Sequence, residues 1–511
     1  LWTKNFLMNI FSYFETAFQN IIAELSVNDF LPKNLDITRV VFELPRESSH
    51  GDIATNAAMV LSKQVSTTPS RLAELFAGKI AEIDGVTGVE IAGPGFLNIR
   101  VDARLWTSEI SEILSAGLSY GKSTIGAGAS VNIEYVSANP TGPLHAAHAR
   151  GAVIGDSLAG LMEFCGWNVT REYYINDAGG QVDVLARSTY LRYCEALGRD
   201  IGAVPSGLYP GIYLKDIGAA LAKRDGDKYL DQPEVDWIST VRNFAIDAIM
   251  QGIKKDLLAL GITMDKFSSE RCLVNSGAVQ RAVDKLQQDG HLYTGVLKPP
   301  KGKEPEDWEP REQLLFKASD FGDDTDRPLQ KSDNTWTYFA ADVAYHLDKL
   351  ERTGGSLINI FGADHGGYVK RMTAAVAALS GMQNMLDIKI CQLVNLLNNG
   401  QPVKMSKRAG TFVTIEDVID AVGPDVIRFI MLTRRNDQTL DFDFAKVTEQ
   451  SRDNPVFYVQ YAHARACSVI RQFEKNAVVP ETANLDLLTT PNEMVLVKML
   501  VGWPKLVESA A

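Results

Sequence analysis

The stretch VNIEYVSANPTGPLHAAHARGAVIGDSLAGLMEFCGW, residues 131–167, decides the fold of this chain. Its first six residues, 131–136, are mostly apolar and predict a buried strand. An Asn-Pro/Gly-Pro loop follows at 139–143, and helical periodicity then runs from about His148 to Cys165. A strand that passes through a tight loop into a helix is the opening unit of a doubly wound, Rossmann-type α/β fold.

The residues before this stretch predict a separate α+β domain over 1–120. Helical periodicity covers 10–25, and a second helix is predicted at 53–63, where Asp52 could cap the N-terminus. A glycine turn and an alternating strand follow in GPGFLNIRV at 93–101.

The residues after this first domain predict two further domains. A glycine- and serine-rich segment at 121–130 is a candidate linker between the first domain and the next. An α/β domain is expected over 121–430, with a helical insertion at about 180–330 and a second strand in SLINIFGADHG at 356–366. Helical patterns then dominate 431–511. The expected fold class is therefore an α/β Rossmann-type domain between an N-terminal α+β domain and a C-terminal all-α domain.

Composition and charge limit the classes of function. The 511 residues are 45% hydrophobic and 22% charged, which is typical of globular domains. The net charge of −12 argues against a protein that coats nucleic acid non-specifically, but it leaves room for an RNA partner that meets local lysines and arginines. No apolar run approaches the ~18 residues that a membrane helix needs, and the N-terminus shows no secretory signal.

The five cysteines include no pair at metal-binding spacing. We therefore expect reduced thiols in a cytoplasmic protein that binds neither zinc nor a membrane. Met8 is a candidate for the natural start, and residues 1–7 would then precede the native sequence.

Two histidines, His145 and His148, stand where the predicted loop meets the predicted helix. Because they are three residues apart, both imidazoles can face one ligand, and the helix N-terminus beside them favours a phosphate chain. The pair alone could also be half of a metal site or a chance occurrence, so this motif is weak by itself.

A second motif is the run KMSKR at 404–408. Two lysines that flank a small polar residue on a glycine-ended loop can follow a pyrophosphate leaving group as point charges. A solvated basic loop explains the run equally well. The two motifs in this order, about 260 residues apart, are more specific, and they resemble the two signatures of the class I aminoacyl-tRNA synthetases. Related nucleotidylyltransferases carry versions of both, but they are usually much shorter and lack a helical C-terminal domain.

Further runs narrow the resemblance to the arginyl-tRNA synthetase family and cover nearly the whole chain. These runs are HGDIATNAAM (50–59), GPGFLNIRV (93–101), NPTGPLH (139–145), REYYINDAGGQ (171–181), GADHGGY (362–368), VKMSKRAGTFVT (403–414) and NPVFYVQYAHAR (454–465).

Two positions depart from the family's pattern. Ala147 stands where the family usually has a glycine that lies against adenosine, and Gly366 stands where it often has a histidine. The family's helical domain also continues beyond a position like Ala511, so we expect a C-terminal truncation.

The resemblance implies two chemical steps. ATP activates L-arginine as arginyl-adenylate, and tRNA(Arg) then receives the arginine. His145 and His148 would hold the phosphates, while Lys404 and Lys407 would hold the departing pyrophosphate. The other implied ATP contacts are Pro143, Leu144, Ala147, Met405 and Ser406. Magnesium ion would accompany ATP and keep several of its waters.

The implied arginine site is acidic, because carboxylates accept two parallel hydrogen bonds from a planar guanidinium. Glu134 matches one such position, and a carboxylate in an apolar strand is costly unless it is paired. Asp342 matches a second position, and Tyr338, one helical turn before it, should share its face. The remaining implied contacts to the amino acid or adenylate are Asn139, Glu270 and His365.

The family's tRNA contacts would lie at both ends of the chain, with the N-terminal domain at the tRNA elbow and the C-terminal helices at the anticodon. We expect a monomer. Two alternatives stay open at this point: a class I synthetase for another amino acid, and a non-catalytic RNA-binding paralogue. A cysteine enzyme would need zinc-binding cysteines, and a glutamate enzyme would need basic residues where Glu134 and Asp342 stand. A paralogue would be expected to lose the histidines or lysines that this chain keeps.

Overall fold

Two compact units make up the chain. The first comprises the residues up to Ile125 together with Phe164–Gly166 and Asn476–Ala511, and the second comprises Gly126–Glu163 and Trp167–Lys475. The domain boundaries expected from the sequence stay a prediction. The structure is a computed structural model, and it describes residues 9–297, 312–331, 333–403, 413–451, 453–476 and 483–511.

The first unit opens with an antiparallel sheet covered by helices. Its elements are α1 (Ile10–Val27), β1 (Phe42–Glu43), β2 (Ile53–Thr55), α2 (Ala57–Leu61), α3 (Pro69–Ile80), β3 (Val86–Ala92), β4 (Phe96–Val101) and α4 (Ala103–Ala116). The strands lie in the order β1-β2-β4-β3, and every neighbouring pair is antiparallel. Apolar side chains from the helices and the sheet form one core, so the expected α+β architecture is confirmed.

The helix expected at 53–63 with an Asp52 cap is wrong in its first half. Ile53–Thr55 form strand β2, because these residues pair with β4 and bury alternate side chains. Helix α2 begins only at Ala57. The Asp52 carboxylate instead accepts a hydrogen bond from the Val101 N–H at 2.8 Å.

The second unit contains the stretch from which the fold was predicted. Its elements in chain order are β5 (Ser130–Glu134), α5 (Ala146–Phe164), β6 (Asn168–Ile175), α6 (Gly180–Ala196), α7 (Tyr213–Asp225), α8 (Glu234–Ala259), β7 (Lys266–Ser269), α9 (Glu270–Asn275), α10 (Ala278–Gln288), β8 (Leu292–Gly295), β9 (Gln313–Phe316), β10 (Arg327–Pro328), α11 (Tyr338–Thr353), β11 (Ser356–Gly362), α12 (Val369–Ser380), β12 (Leu386–Cys391), β13 (Val394–Asn398), β14 (Gln401–Pro402), α13 (Ile415–Val422), α14 (Pro424–Met431), β15 (Leu440–Asp443), α15 (Phe444–Val447) and α16 (Pro455–Asn476).

Five of these strands form a parallel sheet in the order β12-β11-β5-β6-β7. The chain runs outward from β5 to β7 and then continues on the other side of β5 with β11 and β12. The strand order therefore reverses between β5 and β11. Ligands of doubly wound sheets bind at the carboxyl ends of the strands beside such a reversal, so this edge is where a site is expected.

Two smaller sheets and three inserted helices complete the second unit. Helices α6, α7 and α8 lie between β6 and β7, where the sequence predicted a helical insertion. Strands β8, β9 and β10 form one small sheet, and β13, β14 and β15 form another. Strand β15 interrupts the helical pattern expected after residue 431, because Leu440 and Phe442 are buried on either side of exposed Asp441 and β13 supplies a parallel partner.

The last two helices, α17 (Pro491–Val501) and α18 (Trp503–Ala510), belong to the first unit. Val497 and Val501 of α17 enter the core of the α+β sheet. The Lys498 ammonium forms an ion pair with Asp52. The short 3-10 helices of the chain are Ser48–His50, Gly117–Ser119, Ala318–Phe321, Ala363–Tyr368 and Leu485–Leu487.

Helix α5 packs very closely on the first strand of the parallel sheet. A Cβ atom added at Gly155 of α5 would lie 2.3 Å from the ring of Tyr135, which follows β5 and is fully buried. This contact admits no side chain, so glycine sets the distance between helix and strand. Gly160, five residues later on the same helix, would meet nothing within 4 Å.

Gly155→Ala is expected to lower the free energy of unfolding by about 1–3 kcal/mol, because the added methyl group must push helix and strand apart. Gly160→Ala is the matched control and should leave stability unchanged or raise it by up to about 1 kcal/mol, since alanine is the better helix former. Thermal unfolding of both variants measures the difference. Equal midpoints would contradict the close packing.

Candidate active site

His145 and His148 lie side by side at the N-terminus of α5. Their rings stack with centroids 3.7 Å apart and planes 28° apart. The His145 N–H points at the Nδ1 atom of His148, 3.2 Å away. The first turn of a helix carries free N–H groups and a partial positive charge, so this pair stands where an anion is favoured.

The chain segment that follows the KMSKR run is hydrogen-bonded to this histidine segment. The Ala146 N–H donates to the Val413 carbonyl at 3.0 Å, and the Ile415 N–H donates to the Leu144 carbonyl at 2.9 Å. Lys404, Met405, Ser406 and Lys407 lie outside the described residues.

The other predicted ATP contacts differ in exposure. Leu144 is fully buried, Pro143 is partly buried and Ala147 is exposed in the first turn of α5. The Ala147 methyl group therefore points away from the protein core. Whether it crowds a nucleotide stays a prediction.

Acidic residues gather at the carboxyl ends of the parallel strands. Glu134 ends β5, Asp177 follows β6 by two residues, and Glu270 comes directly after β7. All three side chains are buried. Because the strands are parallel, these carboxylates share one edge of the sheet, beside the reversal in strand order.

Glu134 is 4% exposed, and each of its carboxylate oxygens has a partner. The Lys349 ammonium lies 2.9 Å from Oε2, and the Ser137 hydroxyl donates to Oε1 at 2.9 Å. The cost of burying this charge is therefore offset by an ion pair and a hydrogen bond.

Asp342, in the second turn of α11, has no ion-pair partner within the described part of the chain. Its carboxylate accepts a hydrogen bond from the Tyr368 hydroxyl. Burial raises the pKa of Asp342 to about 7, the Tyr368 hydrogen bond opposes this rise, and the nearby Glu270 and Glu134 charges add to it. The site therefore holds a carboxyl group that is only partly ionised at neutral pH.

Glu270, the first residue of α9, is 6% exposed. Its Oε2 atom has no hydrogen-bond partner among the residues that the structure describes. Burial and then the charge of Asp177 raise its pKa. A buried oxygen without a partner is costly, so it marks a place where a ligand donor is missing.

The remaining predicted arginine contacts lie at the exposed rim. Tyr338, one turn before Asp342, is 69% exposed, and the Asn139 amide is exposed and donates to Gln181 at 3.1 Å. His365 is exposed in the 3-10 helix after β11 and lies 3.8 Å from Asp364. The structure thus brings together Glu134, Glu270 and Asp342, here called the acidic cluster, while Asn139, Tyr338 and His365 stay outside it.

Sequence reasoning missed two groups that contact the acidic cluster, Tyr368 and Lys349. Lys349 could have been found from spacing, because Asp342, His346 and Lys349 follow the i, i+4, i+7 pattern of one helix face. Nothing local in the sequence pairs Tyr368 with Asp342, since their contact depends on how α11 packs beside β11.

No helix in the described ranges combines the length and the apolar character needed to cross a membrane. Within the same ranges, no three His, Cys, Asp or Glu side chains are grouped so as to hold a metal ion.

Three family descriptions match this chain. "Arginyl tRNA synthetase N terminal domain" matches residues 12–101, "tRNA synthetases class I (R), catalytic domain" matches 109–196, and "DALR anticodon binding domain" matches 459–511. The matches follow the expected order of the domains along the chain.

Curated relatives match over almost the full length. The arginine–tRNA ligases of Roseobacter denitrificans and Parvibaculum lavamentivorans are each 54% identical to this chain, over 509 and 510 residues. Each comparison covers 99% of this chain and 88% of the relative.

Solved structures share the fold. The arginyl-tRNA synthetase of Thermus thermophilus superimposes with a TM-score of 0.70 at 20% identity, covering 97% of this chain and 87% of that one. The arginyl-tRNA synthetase of Plasmodium falciparum gives a TM-score of 0.68 at 16% identity, covering 98% of this chain and 88% of that one.

The raised pKa of Asp342 predicts how stability depends on pH. With a folded pKa of about 7 against an unfolded value of 3.8, the folded protein binds more protons between these values. Stability contributed by this group is therefore lost as the pH rises from about 4 to 7.

Asp342→Asn removes the charge and should raise the unfolding midpoint more at pH 8 than at pH 5. The control is Glu351→Gln, an exposed residue of the same helix. A pH-independent difference for Asp342→Asn would contradict the assignment.

Proposed function

Because this chain belongs to the arginyl-tRNA synthetase family, it is an arginine–tRNA ligase that uses ATP, and we propose which of its residues bind each substrate. The arginine side chain is bound by the acidic cluster of Glu134, Glu270 and Asp342. The ATP phosphates are bound by His145 and His148, together with Lys404 and Lys407 of the KMSKR run.

One observation carries the arginine assignment: the carboxyl groups of Glu270, which is buried, and Asp342, which is partly buried, have no cation at ion-pair distance in the described residues. Burial raises the pKa of both groups, and the rise is increased by the charges of Glu270 and Glu134 at Asp342 and by the charge of Asp177 at Glu270. A guanidinium is permanently charged and donates in a planar fork, so it supplies both the charge and the missing hydrogen bonds. Lysine or ornithine would leave acceptors unpaired, and buried unpaired acceptors give strong discrimination.

The exposed residues at the rim are assigned to the other end of the amino acid. Tyr338 lies one helical turn before Asp342, and Asn139 lies on the loop that follows Glu134. His365 follows β11, the strand on the other side of the reversal in strand order. Their positions support contacts to the α-amino and carboxyl groups of arginine or to the adenylate.

The nucleotide assignment rests on the stacked histidines at the N-terminus of α5 and on the hydrogen bonds that join this segment to residues 413–415. Pro143, Leu144 and Ala147 belong to the same segment and would line the adenosine. Met405 and Ser406 are assigned to ATP by their place between the two lysines. ATP would enter as its Mg²⁺ complex, the ion remaining largely hydrated as part of the substrate.

Two displacements follow from these assignments. A carboxylate oxygen of arginine attacks the α-phosphorus of ATP, the bond to the bridging oxygen breaks, and pyrophosphate leaves. A ribose hydroxyl at the tRNA 3′ end then attacks the adenylate carbonyl, and AMP leaves. Neither displacement needs a protein nucleophile, so positioning and charge stabilisation supply the catalysis.

The tRNA contacts are assigned to the two ends of the chain. The match of 12–101 to the family's N-terminal domain supports contact with the tRNA elbow, and the match of 459–511 to an anticodon-binding domain supports contact with the anticodon. That the chain acts as a monomer in the cytoplasm stays a prediction from its sequence.

Exchange of radioactive pyrophosphate into ATP tests the assignment, measured for each amino acid with and without tRNA(Arg). Of the amino acids tested, only arginine should support exchange.

Asp342→Asn should raise the KM for arginine strongly and leave the KM for ATP nearly unchanged, because losing one partner of a desolvated charge pair costs roughly 2–5 kcal/mol. Glu351→Gln serves again as the control. An Asp342→Asn enzyme with the wild-type KM for arginine would contradict the proposed arginine pocket.

A further inference from the structure

A fully buried ammonium group lies beneath the acidic cluster. The Lys349 side chain is 0% exposed, and its Nζ atom lies 2.9 Å from Glu134 and 2.7 Å from the Oδ1 atom of Asn359. The same ammonium lies 5.1 Å from the centre of the Tyr345 ring. A lysine without contact to water is rare unless it is paired, so its charge is held there for Glu134.

The hydrogen bonds continue from Lys349 to the helix that carries Asp342. Because the Asn359 oxygen accepts from Lys349, its Nδ2 group faces the Nε2 atom of His346 at 2.9 Å. The other ring nitrogen of His346 lies 2.8 Å from the Asp342 carbonyl. Burial and then the Lys349 charge lower the pKa of His346 to about 3, so the ring is neutral, with Nε2 accepting and Nδ1 donating.

This chain of hydrogen bonds joins two of the carboxylates assigned to arginine. It starts at Glu134 on β5, crosses β11 through Asn359, and ends at the backbone of Asp342 on α11. The links from Glu134 to His346 are buried and the last link to Asp342 is partly buried, so a change in one link is transmitted to the next rather than absorbed by water. The spacing between Glu134 and Asp342 therefore depends on Lys349.

The charges around the cluster are unevenly compensated. Arg352 bonds Glu172 at 2.8 Å, Arg271 lies 3.6 Å from Asp177, and Lys349 bonds Glu134. Asp342 and Glu270 are the acids left without an ion-pair partner in this part of the described structure. Arginine as a substrate carries two positive charges, on its guanidinium and its α-ammonium group.

We propose that Lys349 is a positioning residue for arginine, one that pairs with Glu134 and fixes it in place, so that the carboxyl groups of Asp342 and Glu270 are left without an ion-pair partner for the substrate to meet. This inference rests on the proposed arginine site. Lys349 does not touch the substrate and acts through Glu134 and through the Asn359–His346 link.

Lys349→Met should raise the KM for arginine on the order of 100-fold, because Glu134 would lose the ion pair that offsets its charge and holds it in place. The KM for ATP should change by less than about threefold, since the histidine segment is not part of this network.

Comparison with Glu134→Gln and with the double variant Glu134→Gln/Lys349→Met separates positioning from a purely structural role. If Lys349 acts through Glu134, the double variant should match Glu134→Gln in arginine KM within about threefold. This pair decides the question even if Lys349→Met alone fails to fold, because the double variant leaves no unpaired charge.

Three results would overturn the inference. A folded Lys349→Met enzyme with the wild-type arginine KM is the first. A double variant far weaker for arginine than Glu134→Gln is the second. A Glu134→Gln enzyme with the wild-type arginine KM is the third. In each case the effect of Asp342→Asn remains a separate measurement, so failure of this inference is distinguishable from failure of the arginine pocket itself.

Discussion

A site that selects a guanidinium must hold several carboxylates close together and away from water, although such carboxylates repel one another and resist ionisation. This constraint governs the edge of the parallel sheet. Glu134 is ion-paired with Lys349, whereas the buried Glu270 and the partly buried Asp342 have no cation at ion-pair distance in the described residues. The raised pKa values of Asp342 and Glu270 express the same repulsion. The free protein holds unfavourable charge that a bound guanidinium relieves.

The fold supplies the geometry for this arrangement. Parallel strands end at one edge of the sheet, so Glu134 and Glu270 lie at the same edge although 136 positions of sequence separate them. Helix α11 adds Asp342 and, one and two turns later, His346 and Lys349 on the same face. The helix that follows the first strand carries the histidine pair at its N-terminus, beside the same reversal in strand order. One sheet edge thus presents negative charge for the amino acid and a positive helix end for the phosphates.

Much of this could be predicted from the sequence, because it depends on local patterns. The strand, loop and helix of 131–165 show in apolar periodicity and proline–glycine pairs, and the histidine pair is placed by its position at the start of that helix. The contact of Tyr368 with Asp342 could not be predicted, since it joins residues from two elements that only the packed sheet brings together. Strand β2 was mistaken for a helix because three residues carry too little periodicity to distinguish strand from helix without the partner β4.

Arginine is expected to bind carboxyl groups that are partly protonated in the free protein. Calorimetric titration of the protein with arginine at pH 7, in buffers of different ionisation enthalpy, counts the protons that binding releases. With an Asp342 pKa of about 7, binding should release about half a proton or more, and Asp342→Asn should reduce the release. Binding that releases no proton, or takes one up, would contradict the claim.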